Sequence, residues 1–444
     1  MKLKSLSISI LPFLTCVLLF TSNLRANAGL TNERMNFGVT GISANPKQDS
    51  LPAGVTPDLL NDLRDENGNR ILNSETFGTP GQPPEDPEGD ALQRKVFNGL
   101  AAGSQFGNSV SSAGDVNGDG YDDIIVGAYL YNSNTGRAYI YYGGVNLNTN
   151  ADVVLTGEAT SNVFGCSVSS AGDLNGDGYS DVIVGAYGYS SNKGRAYIFY
   201  GGTSMNNVAD IIMTGEFNGN SFGTSVSSAG DVNGDGYSDV IVGADVYSSS
   251  TGRAYIYFGG ASMNNIADVT MTGSASFYTF GKSVSSAGDV NGDGFSDVII
   301  GAKGYSSNTG RAYIFFGGAS MYNSEDVLLT GEAASNNFGV SVSSAGDVNG
   351  DGYSDVIAGA YGFNSNTGKA YIYFGGASVN SIADVIMTGE STINFFGNSV
   401  SSAGDVNGDG FSDVIVSAFG YNSFTGKAFV YFGGTSMNNI ADVT

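Results

Sequence analysis

Asp115-Val116-Asn117-Gly118-Asp119-Gly120-Tyr121-Asp122-Asp123 is the stretch on which the reading of this chain turns. Its pattern, DxNxDGxxD, returns at Asp173, Asp231, Asp289, Asp347 and Asp405, each copy 58 residues after the one before. Oxygen-bearing side chains at alternate positions, followed by a glycine, let a short loop wrap around a hard cation such as Ca²⁺. A period of this length marks an array of identical supersecondary units.

The candidate ligands are the side chains at loop positions one, three, five and nine, with the backbone carbonyl of position seven. In chain order they are Asp115, Asn117, Asp119, Tyr121 and Asp123; Asp173, Asn175, Asp177, Tyr179 and Asp181; Asp231, Asn233, Asp235, Tyr237 and Asp239. The other three loops supply Asp289, Asn291, Asp293, Phe295 and Asp297; Asp347, Asn349, Asp351, Tyr353 and Asp355; Asp405, Asn407, Asp409, Phe411 and Asp413. A helix-loop-helix calcium site would need Glu at position twelve, where this chain has Val126 and Val184 inside strand-like runs. That reading fails.

Charge points the same way. The 444-residue chain has 42 acidic and 18 basic residues and no histidine, a formal net charge of −24. Eighteen of the acidic residues are the three Asp of each loop. Without cations each loop holds three carboxylates against one another, and one Ca²⁺ per repeat, six in all, relieves that repulsion. The alternative is a set of solvated acidic turns. So acidic a chain is a poor partner for nucleic acid or anionic lipid.

The N-terminus carries Lys2 and Lys4, an apolar run from Leu6 to Phe20 and the small-residue site Ala26-Asn27-Ala28. Residues 1–28 therefore read as a signal peptide for secretion or cell-surface delivery, and no later run is long enough to insert in a membrane. Cys16 leaves with that segment, so Cys166 is alone and no disulfide forms within the mature chain. It is either incidental or paired between molecules. Residues 29–92 hold seven of the eight prolines and show no hydrophobic period, which suits a partly disordered leader or linker, with a short helix-like patch at 57–63.

From residue 93 the array begins, with units starting at 106, 164, 222, 280, 338 and 396. In the second unit, 167–172, 181–186, 194–202 and 210–215 are strand candidates separated by Gly, Asn and Ser. The second and third, Val182-Ile183-Val184 and Ala196-Tyr197-Ile198-Phe199-Tyr200, are apolar without alternation and should be buried on both faces. The first is built of Ser, Ala and Gly, suited to a place where several strands converge. The expected fold is all-β, a propeller of four-stranded blades. Residues 94–99 align with 152–157, so either that segment completes the sixth blade and closes a ring, or a further unit is missing after Thr444.

Phe106-Gly107, the DxNxDGxxD loop and Val126-Gly127-Ala128 together resemble the FG-GAP repeat of integrin alpha-subunit β-propellers and their bacterial secreted relatives. The resemblance spans 94–444 and implies a propeller, usually of seven blades, with Ca²⁺ between the first and second strands of a blade. The family's Gly-Ala-Pro is here Gly-Ala-Tyr at Tyr129, Tyr187 and Tyr361; Asp245, Lys303 and Phe419 hold the third place in the other units, and Ser417 replaces a glycine. None of these changes touches a ligand oxygen.

Alternating strand direction puts the loops after strands two and four opposite the acidic loops. Tyr129, Tyr131, Tyr187, Tyr189, Tyr247, Tyr305, Tyr361, Phe363, Phe419 and Tyr421 fall there, with the variable segments 217–221 and 277–278. These rings either contact a ligand or pack between blades. The favoured function is a monomeric, calcium-binding adhesion or ligand-binding module for an extracellular protein or glycan; the alternatives are a structural surface array without specific ligand and a carboxylate-based carbohydrate-active enzyme. The lack of histidine removes Ser-His-Asp, Cys-His and histidine-ligated zinc chemistry. Asp245 and Glu325 are the acidic residues that break the repeat, and the chain is read as a non-enzyme.

Overall fold

The computed structural model describes residues 95–99, 101–145 and 147–444. The expected signal peptide, the leader and its helix-like patch lie outside the described residues. Lys95–Thr444 forms one compact unit, and none of its helices is long and apolar enough to cross a membrane.

Each repeat folds into one antiparallel sheet. In the first blade β1 (Phe106–Gly114), β2 (Asp123–Ala128), β3 (Arg137–Tyr141) and β4 (Val153–Thr156) pair in sequence order. The second holds β5 (Ser167–Gly172), β6 (Asp181–Ala186), β7 (Arg195–Phe199) and β8 (Ile211–Thr214); the third, β9 (Ser225–Gly230), β10 (Asp239–Ala244), β11 (Arg253–Tyr257) and β12 (Val269–Thr272). The fourth holds β13 (Ser283–Gly288), β14 (Asp297–Ala302), β15 (Arg311–Phe315) and β16 (Val327–Thr330); the fifth, β17 (Val342–Gly346), β18 (Asp355–Ala360), β19 (Lys369–Tyr373) and β20 (Val385–Thr388). The sixth has three strands, β21 (Phe396–Gly404), β22 (Asp413–Ala418) and β23 (Lys427–Tyr431). The result is a six-bladed all-β propeller.

The strands follow from their composition. Every residue of β6, β10, β14 and β18 is buried, as unalternated apolar runs require. The core is not one mass but a series of layers between blades. Ile125, Ala138, Ile140 and Leu155 of the first blade pack on Phe164, Val182, Val184, Tyr197 and Phe199 of the second. Phe164 meets Tyr197 edge-on at 5.3 Å, a contact repeated by Phe222–Tyr255, Phe280–Tyr313 and Phe338–Tyr371.

The serine-rich first strands of successive blades lie side by side, innermost in the array. Small side chains allow this approach, and the serines also bond across it: Ser109 Oγ accepts from Val168 N at 3.0 Å, and Ser167 Oγ from Val226 N at 3.1 Å. Blades are further tied by a parallel bridge from Gly136 to Phe164, repeated four times along the chain. A side chain at Gly136 would run into the Phe164 backbone, and its φ of +81° also favours glycine. Glu158, in the link after β4, reaches Arg195 of the next blade at 2.7 Å.

Of the two arrangements considered for the ends, the described residues do not form the one in which the N-terminal segment completes the sixth sheet. Residues 95–99 form no strand and pair with no part of the sixth sheet. Phe97 instead packs on Tyr141 of the first blade, centroids 4.5 Å apart, and Val443 bridges to Val430 on the edge of the sixth. Among the described residues no hydrogen bond or bridge of the kind that joins neighbouring blades joins the sixth to the first.

Candidate metal loops and the opposite face

The acidic loops connect the first and second strands of each blade. In the second blade Asp173 folds the loop around itself: Oδ1 accepts from Gly176 N at 2.7 Å and Asp177 N at 3.1 Å, and Oδ2 from Gly178 N at 2.9 Å. Asn175 Oδ1 accepts from Asp177 N at 2.9 Å, and Asp177 Oδ1 from Tyr179 N at 3.0 Å. Asp and Asn suit these positions because short side-chain oxygens cap N–H groups two to five residues ahead. Positive φ at Gly176 (77°) and Gly178 (89°) allows the reversal.

The ninth-position aspartate has a different setting. Asp181 is fully buried, its Oδ2 accepting from Leu174 N and its Oδ1 from Gly201 N, both at 2.8 Å. It thus ties the loop to the segment after the third strand. Burial pushes the carboxyls of Asp181, Asp239, Asp297 and Asp355 up to about 7, against the pull of those N–H donors and with a further push from the two loop aspartates nearby. Asp123 shifts in the same direction for the same first reason.

All six loops therefore bring their position-one, -three and -five side chains to one exposed turn, with position nine beneath. Among the described residues no three Asp, Glu, Cys or His side chains are gathered as a ready ion cage. The donors are nonetheless all oxygen, and most of these oxygens take a single N–H and keep a second lone pair. Such a set fits a hard cation in its chemistry.

The loop is also gripped by the next blade. Asp115 O accepts from Ser180 N at 3.0 Å, Val116 O from Gly202 N at 2.7 Å, and Gly118 lies against the ring of Tyr179. The first five loops share this arrangement. Gly404 and Gly408 of the sixth face open space instead.

At the opposite ends of the blades the second and third strands are joined by a left-handed turn. Asn132, Ser133 and Asn134 have φ of 46°, 56° and 62°, and every blade repeats three such residues. The following cation lies over the aromatic that opens the turn, as Arg195 does over Tyr189 at 3.7 Å. Tyr131, Tyr189, Tyr247, Tyr305, Phe363 and Tyr421 are thus engaged with their own blade's Arg or Lys.

The repeat breaks on this face. Asp245 pairs with Lys282 at 3.4 Å, and the Lys303 ammonium is held below its usual range by burial and then by Lys282. In the sixth blade Phe395 stacks on Phe419 at 4.7 Å and 20° and on Phe424 at 6.4 Å and 27°, with Tyr361 5.9 Å from Phe395. Phe419 and Phe424 are exposed, and Phe395 and Phe424 hold left-handed φ of 53° and 68°. The sequence reading included Tyr361 and Phe419 but missed Phe395 and Phe424. Their signal was present: the preceding blade carries Asn337 and Asn366 at those places.

The FG-GAP repeat matches the chain six times, over 106–141, 164–199, 222–257, 280–315, 338–373 and 396–431. A comparison with curated proteins finds no relative by sequence. Among solved structures, the chain is similar to the six-bladed fucose-binding Aleuria aurantia lectin at 12% identity and a TM-score of 0.41, over 74% of this chain and 92% of that one. It is also similar to the subtype N11 neuraminidase-like protein of A/flat-faced bat/Peru/033/2010 (H18N11), at 12% identity and 0.35, over 72% and 84%. With six matched repeats, each running from a Phe-Gly pair to the end of a third strand and each building one blade, the chain belongs to the FG-GAP repeat family of β-propellers.

Proposed function

We propose that this protein is a secreted, calcium-binding propeller that acts as an adhesion or ligand-binding module, and that it receives an extracellular glycan or protein on the face opposite the acidic loops. The observation that supports this most is the stack of Phe395, Phe419 and Phe424. Phe395 and Phe424, which stand where the fifth blade has Asn337 and Asn366, converge there with Phe419; Phe419 and Phe424 are exposed, and Phe395 and Phe424 place bulky rings on the left-handed backbone that every blade has at those positions. Bulky residues rarely take that conformation, and strain of this kind collects at binding sites. Flat apolar rings suit the faces of sugars and of aromatic or aliphatic side chains alike.

Calcium has a structural part in this reading. Asp115, Asn117, Asp119 and Asp123, the Tyr121 carbonyl and their counterparts in the other loops would hold the ions, which would neutralise carboxylates that otherwise repel one another. No residue is assigned to catalysis in this reading; the chain has no histidine, and eighteen of its 42 acidic residues are the loop aspartates.

The test is a screen of glycans and cell-surface proteins against the chain and a variant carrying F395N and F424N. Both substitutions restore the residue of the fifth blade, so the fold should persist. Binding lost in the variant supports the assignment; binding of equal strength in both would place the ligand elsewhere.

A further inference from the structure

A glutamate in the link before the blade meets the cation that opens the third strand in the second, third, fifth and sixth blades. Glu216 Oε1 accepts from Arg253 Nη1 at 2.6 Å and from the Tyr255 hydroxyl at 2.9 Å. Glu332 Oε1 takes Lys369 Nζ at 2.7 Å and the Tyr371 hydroxyl at 3.0 Å in the same way. Glu158 and Glu390 stand at the same place against Arg195 and Lys427. The link into the fourth blade has Ser274 there instead, although Arg311 and Tyr313, the cation and the hydroxyl that a carboxylate would join, are both present.

Both groups are left with unused donors. Arg311 Nε donates to Thr330 Oγ1 at 3.2 Å and the guanidinium lies over Tyr305 at 3.6 Å, but among the described residues Arg311 makes no ion pair. The Tyr313 hydroxyl has no hydrogen-bond partner although the residue is only 5% exposed, an arrangement that costs stability unless something accepts the proton. Tyr197 also lacks a partner, for a different reason: Glu158 commits both oxygens to Arg195 Nη1, at 2.7 and 2.8 Å. The surroundings are open and aromatic. Residues 274–277 are exposed, Phe277 by 73%. Tyr278 stands where the links into those other four blades have asparagine, and its ring meets Tyr305 edge-on at 4.8 Å.

We propose that Arg311 and Tyr313 bind the carboxylate of an acidic sugar, a hexuronic acid, in the position that Glu216 and Glu332 fill from within the chain in the neighbouring blades. A guanidinium can hold a carboxylate through two parallel N–H groups, and a charged acceptor strengthens the hydroxyl bond as well. The rings of Phe277 and Tyr278 beside that position favour a sugar over a bare Asp or Glu side chain, since flat apolar surface suits the face of a pyranose. The site lies two blades from the stack of Phe395, Phe419 and Phe424 and does not rest on the ligand assigned there.

The test is calorimetric titration of the full chain, and of its S274E and R311Q variants, with glucuronate, glucose and N-acetylglutamate. S274E restores the residue of the other links, so its melting temperature should be no lower than the parent's; melting also checks that R311Q folds. Expected are glucuronate binding to the parent, glucose at least tenfold weaker, and at least a tenfold loss of glucuronate affinity in each variant, with binding unchanged in F395N/F424N. No glucuronate binding by the parent would overturn the proposal, as would binding that S274E and R311Q leave intact. N-acetylglutamate bound as tightly as glucuronate would overturn the sugar and point to an acidic side chain of a protein. Loss of glucuronate binding in F395N/F424N alone would move the ligand to the Phe395 stack.

Discussion

Asp181 shows how one side chain can serve fold and site together. Each carboxylate oxygen accepts one buried N–H, from Leu174 and from Gly201. An amide in its place keeps one acceptor and sets an NH₂ group against the other donor. D181N should therefore cost about 1–3 kcal/mol in denaturant unfolding. D177N, on the exposed rim, should leave metal-free stability nearly unchanged, and if the loops hold calcium as proposed it should weaken that binding alone.

The raised carboxyls also fix the sign of a pH effect. With a folded value near 7 against 3.8 for the ordinary residue, the folded chain keeps protons between those values that the unfolded chain has released. Stability present at low pH is then lost as pH rises through that window. Metal-free protein should show a falling urea midpoint from about pH 4 to pH 7, and saturating Ca²⁺ should flatten the slope, since a cation favours the ionised form. Cys166 offers a simpler check. Burial pushes its thiol up to about 11 from 9.0, and its Sγ donates to Gly223 O at 3.4 Å. Alkylation at pH 8 should run roughly a hundredfold slower than for an exposed cysteine. The loop aspartates were legible in the sequence by spacing alone. The burial of position nine was not, because nothing in DxNxDGxxD separates a carboxylate that caps a turn from one that lies beneath it.

At the scale of the element, the left-handed turn before each third strand is the least regular piece of backbone in a blade. Asn tolerates this conformation by bonding locally, and Phe does not. F424N should therefore raise stability by about 1 kcal/mol in thermal unfolding, and under the proposed function it should weaken ligand binding at the same time, the usual opposition between a strained site and a stable one. The strands themselves could be read from composition: 181–186 was expected and observed as a strand to the residue, and the third and fourth strands of that blade lie inside their expected spans. The turn could not be read. Three consecutive non-glycine residues with positive φ leave no compositional mark, since Ser and Asn suit ordinary loops equally well.

For the whole molecule, the 58-residue period determined the number of blades but not how the array ends. Residues 94–99 and 441–444 are aligned with the same fourth-strand position, and pattern alone does not rank two segments for one edge. The structure gives that edge to Val443 and leaves Phe97 on the first blade. Position in the array therefore sets the cost of identical substitutions. I183A, in a fully buried slot, should cost about 2–5 kcal/mol. I415A, in the same slot of the half-buried terminal face, should cost roughly half of that or less, with both read from denaturant midpoints.

The grip of each blade on the loop before it has a consequence for how ions load. Five loops have their backbone held by a following blade, through bonds such as Ser180 N to Asp115 O, and among the described residues the sixth has no such bond. Filling one held loop stiffens a segment that its neighbour also touches, so these five should fill as a linked series, while the sixth, free to adjust around the ion but with more disorder to lose, should fill on its own. A calcium titration followed by heat should then resolve into two steps of unequal size rather than one curve for six equal sites.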